Sequence, residues 1–449
     1  MTLSKSKLET NYSKTINFLF CFLPISFILG NLAINLNIVL FCLLGIIHLK
    51  SKILTSKYNI SIKFIFLLFV IVFISSSLSF MESIISNGYE NKEFILLIKS
   101  IMFFRFFLLL AIPYLLSELE VLNFEYFFLS GAFFPIFISL DIIFQYIFGF
   151  NIVGLKTPIG SIQDPILHNT GFFGKELIAG GFIQNFSFFS IFLITFFLIK
   201  KNFYRFILTT ILISILGVAI LLTANKMPLL LFLFGLFLIF LFDKKLRIIV
   251  FTSFICIFLI FNFIFSKDER LKNWQLSGYW NAKSMVVSLL GKATYVEPDE
   301  IDSSAGETKQ EFHSSHKKIY LTAIDAWKQN KILGNGIKSF RTDCHNFAPS
   351  KYRMCSNHPH NYYFEILTET GIVGISIVLI IASLLGIFIY KNLKFLKRDN
   401  INTYIFLSAV VSLALGMFPF KSTGSIFSTS NIGYIMLITS IVLSYRKQH

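Results

Sequence analysis

Charge is scarce in this chain: 14% of its 449 residues are Asp, Glu, Lys or Arg, and 55% are hydrophobic, whereas an average soluble domain is about 25% charged. That shortage excludes an ordinary cytosolic enzyme. Cysteine is scarce as well, with five in all; Cys21, Cys42 and Cys256 fall in apolar runs, where they read as small apolar residues. There is no G-x-x-x-x-G-K-[ST] loop, so nothing in the sequence points to an ATP-driven machine, and no repeat of roughly 20 to 50 residues marks a solenoid. Acid is the minority charge, 24 Asp plus Glu against 40 Lys plus Arg, for a net +16. In a soluble protein that excess would point to nucleic acid; in so apolar a chain it reports the basic bias of cytoplasmic loops, and no nucleic-acid partner is expected.

What the chain has in abundance is apolar runs long enough to cross a hydrocarbon layer of roughly 30 Å. They fall near 15–33, 36–49, 62–80, 94–116, 124–149, 177–199, 203–222, 227–242, 247–265, 370–390, 402–420 and 426–444. The fold class read from them is an all-α polytopic membrane protein of about twelve transmembrane helices. Lys5, Lys7 and Lys14, then Lys50 to Lys63, Lys200 to Arg205, Lys244 to Arg247, Lys391 to Arg398, and Arg446 with Lys447, fall on alternate connections. The positive-inside bias then puts both termini in the cytoplasm. The first apolar segment follows a basic stretch as a signal peptide would, but Gly30-Asn31-Leu32-Ala33 lacks a small-x-small cleavage site, so it reads as a retained helix.

One polar stretch interrupts the pattern. The expected organisation is 1–265, helices one to nine; 266–369, a large periplasmic loop; and 370–449, helices ten to twelve. Within the loop, residues 296–315 are acidic and Ser-rich. Ile319, Ala323 and Trp327 recur at helical spacing, and Gly334 is expected to cap that helix. A loop this long between membrane helices is functional by expectation, and a small ordered lid is anticipated. Cys344 and Cys355 both lie in it, and an oxidising compartment predicts a disulfide between them. Cys344, His345, Cys355, His358 and His360 could alternatively hold zinc, but their spacing fits no standard site and the disulfide would consume both thiols, so no metal is expected.

The densest polar cluster runs Cys355-Ser356-Asn357-His358-Pro359-His360-Asn361-Tyr362 and continues into Glu369-Thr370-Gly371-Ile372-Val373-Gly374. Pro359 suits the first turn of a helix. His360 is then expected at a helix N-terminus, where the dipole favours a neutral, proton-accepting ring and free N–H groups attract phosphate. A plain capping role for His360 and Asn361 is the competing reading.

His360-Asn361, nine residues, then Gly371-x-x-Gly374 resembles the signature H-[NSQ]-x9-G-x-x-[GTY] of the bacterial O-antigen ligase and O-antigen polymerase family. The large loop between the ninth and tenth spans and the stretch from Ala326 to Gly336 are also similar to that family. The resemblance implies a type C membrane glycosyltransferase architecture in the bacterial inner membrane. It implies a metal-independent, cofactor-free enzyme that takes a glycan from undecaprenyl diphosphate. The acceptor it implies is lipid A-core for a ligase, the favoured branch, or another glycan for a polymerase; a protein hydroxyl would make an oligosaccharyltransferase. It implies that His360 is the general base. The family places an Arg near the outer end of the seventh span to hold diphosphate, and this chain has Lys226 there, keeping the charge but losing the guanidinium fork. A second family Arg falls on His316, leaving Lys317, Lys318, Arg341 or Arg353 to supply that charge. Lys175, in the Gly-rich stretch Thr170 to Gly181, is a further candidate for substrate binding, or a partner for Glu176. The rival from another class is a twelve-span secondary transporter, which would concentrate its polar residues near the midplane rather than at one face.

Overall fold

The computed structural model describes residues 2–87, 91–158, 167–278, 315–347, 353–394, 396, 400–422 and 424–445. Among these the protein is all-helical; the one β feature is an isolated bridge between Phe150 and Lys156. Eight helices are long and apolar enough to cross a membrane: Asn31–Leu49, Ile60–Ile85, Glu93–Glu118, Phe124–Phe148, Ala179–Phe197, Asn202–Leu222, Arg247–Lys267 and Tyr362–Leu393. Three shorter apolar helices, Lys226–Phe242, Ile401–Gly416 and Thr429–Leu443, stand where three more spans are expected. The molecule is a polytopic membrane protein.

The first expected span is not one straight helix. Asn11–Cys21 and Leu23–Leu29 meet at 45°, because Pro24 has no N–H to give the preceding turn and its ring crowds that turn's carbonyl. Gly30, at φ 96°, ends this bent pair, so residues 31–33 belong to the next helix, Asn31–Leu49. The tenth span also differs: its helix starts at Tyr362 rather than 370. The acidic stretch 296–314 and the basic residues Lys397, Arg398, Arg446 and Lys447 lie outside the described residues.

Phenylalanine supplies much of the interior. Phe20 packs against Phe41 and Phe127 with ring centroids 5.5 and 5.2 Å apart, Phe127 meets Phe189 edge-on at 5.6 Å, and Phe69 stacks on Phe103 at 4.8 Å. Such pairs add about 0.5–1.5 kcal/mol each beyond area burial. Association in lipid gains little from hydrophobicity itself, so hydrogen bonds between helices matter too. Ser190 donates to the Ala132 carbonyl at 2.6 Å and Tyr434 to the Asn185 carbonyl at 2.7 Å, while Asn37 reaches both Ser26 and Leu19. Large apolar side chains such as Phe18, Ile248, Phe258 and Phe263 stay exposed on the outside of the bundle, as a lipid-facing surface requires.

One end of the bundle gathers the polar connections. There the helix Ser315–Gln329 turns Ile319, Ala323 and Ala326 onto Phe340 and Cys344 to form a small core of its own. A disulfide joins Cys344 to Cys355 with Cα atoms 5.2 Å apart. Tyr320 stacks on Phe364 at 4.8 Å, docking this subdomain on the first turn of the helix Tyr362–Leu393.

Candidate active site

The sequence signature splits into a chemical part and a structural part. Asn361 is the N-cap of the helix Tyr362–Leu393: its Oδ1 accepts from the backbone N–H groups of Tyr363 and Phe364 at 3.0 and 3.3 Å. Its Nδ2 donates to the Pro419 carbonyl at 2.8 Å. The expectation that Pro359 opens this helix is corrected, since Pro359 and His360 precede the cap. His360 takes a left-handed backbone, φ 57°, which no helical residue adopts and which throws its ring out of the helix line.

That ring sits in a cluster of aromatic and imidazole groups. His358 lies 4.3 Å away between centroids and His316 lies 5.5 Å away, edge-on, while Ser356 Oγ is 3.1 Å from Nε2. His316, the residue at the family's second Arg position, thus stands against His360 rather than supplying a fixed charge. Burial, then His358 and His316, push the His360 imidazole down to about 4. Burial also lowers His316. At neutral pH His360 is uncharged and able to accept a proton.

Gly371 and Gly374 do the structural work. The helix breaks at Gly371, at φ 65° and ψ −164°, a region essentially confined to glycine. Into the break fits the segment 331–336: Ile372 N–H donates to the Lys331 carbonyl at 2.9 Å, Val373 N–H to Ile332 at 3.2 Å, and Gly336 N–H to Glu369 at 3.0 Å. Gly334 is therefore no helix cap, as the sequence had implied. The preceding helix ends at Gln329, and a Cβ on Gly334 would meet the backbone of Glu369 and Thr370 at 2.5 Å. A Cβ on Gly374 would overlap the Thr370 side chain.

Two buried carboxylates were not singled out from the sequence. Glu365 accepts from Ser425 Oγ at 2.5 Å and from the Ile426 N–H at 2.7 Å, and Glu369 accepts from the Lys338 N–H at 2.5 Å. Their spacing of four residues puts both on one helix face. Carboxylates in an apolar run are the signal that could have found them. They anchor, respectively, the connection before the last helix and the loop segment at Lys338.

Lys226 heads the helix Lys226–Phe242 at a second polar corner. Its Nζ donates to Ser277 Oγ at 2.7 Å and lies 3.4 Å from the Trp274 ring centroid, a cation–π contact. The carbonyls that end the preceding helix are each satisfied by a side chain: Asn169 Nδ2 on Leu222 at 2.8 Å, His168 Nδ1 on Thr223 at 3.1 Å and Trp274 Nε1 on Ala224 at 2.8 Å. Because a carbonyl only accepts, His168 carries its proton on Nδ1. Gly180 N–H donates to Asn225 Oδ1 at 3.2 Å, fixing the corner to the start of the helix Ala179–Phe197.

The remaining sequence candidates scatter. Arg353 is committed to Asp325, 2.5 Å away. Lys317 and Lys318 are half-buried on the loop helix, while Arg341 and Lys175 are exposed. Lys175 forms no ion pair with Glu176 among the described residues. Cys344, His345 and Cys355 come within metal-binding distance of one another, but with both sulfurs in the disulfide only one donor remains. Along the motif helix, from Tyr363 to Ile389, lies an apolar cavity of about 350 Å³, lined also by Phe103, Leu413 and Phe427.

The structure thus sets a neutral histidine beside a helix cap, a glycine break ten residues after that cap, and a cation at a separate helix N-terminus. Residues 209–379, which include both Lys226 and the whole motif, match the family model described as O-antigen ligase. Residues 209–379 of this membrane protein therefore carry a domain similar to the O-antigen ligase family. No curated protein matches it.

Proposed function

We propose that this protein is an O-antigen ligase: it transfers a glycan from undecaprenyl diphosphate to a hydroxyl of lipid A-core, without a metal, at the periplasmic face of the inner membrane. The observation that carries the reading is His360, held outside the helix by its own left-handed backbone and kept neutral by burial and the neighbouring His358 and His316. The acceptor oxygen attacks the anomeric carbon and its proton passes to His360. The bond from that carbon to the diphosphate oxygen breaks, and undecaprenyl diphosphate leaves with the electron pair. Ser356 Oγ marks the approach, since a hydroxyl in its place lies within hydrogen-bonding distance of Nε2. His360 is a weak base, matched to an alcohol that becomes acidic only as the new bond forms. Its contribution is put at about 10²- to 10⁴-fold.

Lys226 faces the diphosphate, whose developing charge the helix N-terminus behind it also favours. The apolar cavity beside the motif helix has the character a polyprenyl chain needs. Asn361, by holding the cap, fixes where His360 points. A direct displacement of this kind inverts the anomeric centre.

The test is genetic and chemical. A deletion strain is complemented with wild type or His360→Ala, each shown to be inserted in the membrane, and lipopolysaccharide and carrier-linked glycan are compared. The proposal expects the ladder on lipid A-core to return only with wild type, while glycan accumulates on the carrier with His360→Ala. Full transfer by His360→Ala would remove the mechanism. A ladder collapsed to one repeat would make the protein a polymerase instead.

A further inference from the structure

The geometry points to Lys421 as a phosphate-binding residue of this site. This deepens the proposed function and rests on it for the identity of the substrate. Lys421 lies outside the large loop, in the connection 417–422 that follows the helix Ile401–Gly416.

That connection is fastened to the motif at successive points. Met417 accepts from Tyr363 Oη at 2.6 Å and Pro419 from Asn361 Nδ2 at 2.8 Å. A little further on, Ser425 and Ile426 hold the Glu365 carboxylate. On its other side Phe418 packs against Phe234 at 5.2 Å, and Phe234 belongs to the helix that Lys226 begins. The connection therefore spans from the helix that Asn361 caps to the helix that Lys226 begins, and Lys421 rides on it.

The Lys421 ammonium lies 5.6 Å from the ring centroid of Tyr362, two residues from His360. It is half-buried and forms no ion pair with any described residue. Glu365, the carboxylate this connection touches, already accepts from Ser425 and Ile426. A partly dehydrated ammonium without a carboxylate partner is costly unless an anion joins it. Burial pushes Lys421 down to about 8, so it still carries its charge at neutral pH. Of the other candidates, Arg353 is held by Asp325 and His316 stands against His360, while Lys317 and Lys318 are half-buried on the loop helix and Arg341 is exposed.

Phosphate reaches this site from either the diphosphate of the donor or a phosphorylated acceptor headgroup, and the same ammonium chemistry serves both. The experiment measures binding of inorganic diphosphate, undecaprenyl diphosphate and a phosphorylated lipid A-core glycolipid to the purified full-length protein in detergent. Wild type is compared with Lys421→Gln, Lys421→Arg, Lys226→Gln and, as an exposed control, Lys331→Gln. Lys421→Gln is expected to weaken diphosphate binding roughly tenfold, the loss of one charged hydrogen bond. Lys421→Arg should restore it and Lys331→Gln should leave it unchanged. The lipid whose affinity falls with Lys421→Gln identifies the source of the phosphate. Unchanged affinity for all three probes in Lys421→Gln, or no binding of any of them by wild type, overturns the proposal. Glycan transfer in the same preparations separates this inference from the function. His360-dependent transfer with unaltered binding by Lys421→Gln would remove Lys421 alone. Lys421-dependent binding with His360-independent transfer would remove the base and leave the anion site.

Discussion

Replacing Gly371 by Ala tests whether the second half of the signature is architectural. At φ 65° and ψ −164° a residue with a Cβ is held in a region that costs on the order of 1–3 kcal/mol. The new methyl also collides with the Ile332 carbonyl, so the segment 331–336 must retreat. Retreat breaks the bonds from Ile372 to Lys331 and from Val373 to Ile332, each worth about 0.5–1.5 kcal/mol net. The sum is about 2–6 kcal/mol, concentrated where the loop meets the helix. Hydrogen exchange of residues 331–338 and thermal unfolding in detergent read both the local and the global loss. Gly386→Ala is the control, because no atom lies within 4 Å of its Cβ position and a helical Ala is favoured over Gly by roughly 1 kcal/mol. If Gly371→Ala kept wild-type protection in 331–338, the claim that main chain docks into the break would fail.

Three further outcomes follow from the geometry. Because His360 is pushed from 6.5 down to about 4, kcat/KM should stay flat through neutral pH and fall only as the pH approaches about 4; an acid limb centred near 6.5 would show an ordinary, solvated imidazole. The same shift has a stability consequence: the unfolded chain binds the proton more tightly, so the His360 contribution is complete above about 6.5 and is lost as pH falls toward about 4, which unfolding midpoints across that window will show. For the disulfide, Cys344→Ala with Cys355→Ala releases a closure of sequence separation 11, worth about 3 kcal/mol on a chain-entropy basis. The expected result is rapid proteolysis of the segment 340–360 with the membrane helices left intact, and unchanged resistance there would contradict the reasoning.

Much of this architecture was legible because lipid imposes simple rules. Apolar length located the helices, and compartment chemistry paired Cys344 with Cys355, which the structure joins. The signature residues singled out His360 as the candidate base. What pattern could not show was contact between distant segments. Tyr362 and Lys421 are adjacent in space but far apart in sequence, and a single lysine in a short connection carries no periodicity. The apolar span reads from 370, short of the helix that begins at Tyr362, because Glu365 and Glu369 look like loop residues, yet each is buried against a specific partner from another segment. Gly334 matched a helix cap by position, but its glycine is required by the neighbouring backbone at Glu369 and Thr370. Pro24 bent a run whose composition alone reads as continuous.

The seam between residues 331–336 and the broken motif helix is made largely by main-chain atoms. Such a joint does not read side chains, apart from demanding glycine where the two backbones touch. On the proposed function, the outer subdomain can therefore drift in sequence, and with it the surface offered to different sugars, while the main-chain joint behind His360 is kept. A transplant of the loop from a relative with another glycan preference should seat correctly if the glycines stay in register, which makes this joint a natural cutting point for exchanging specificity.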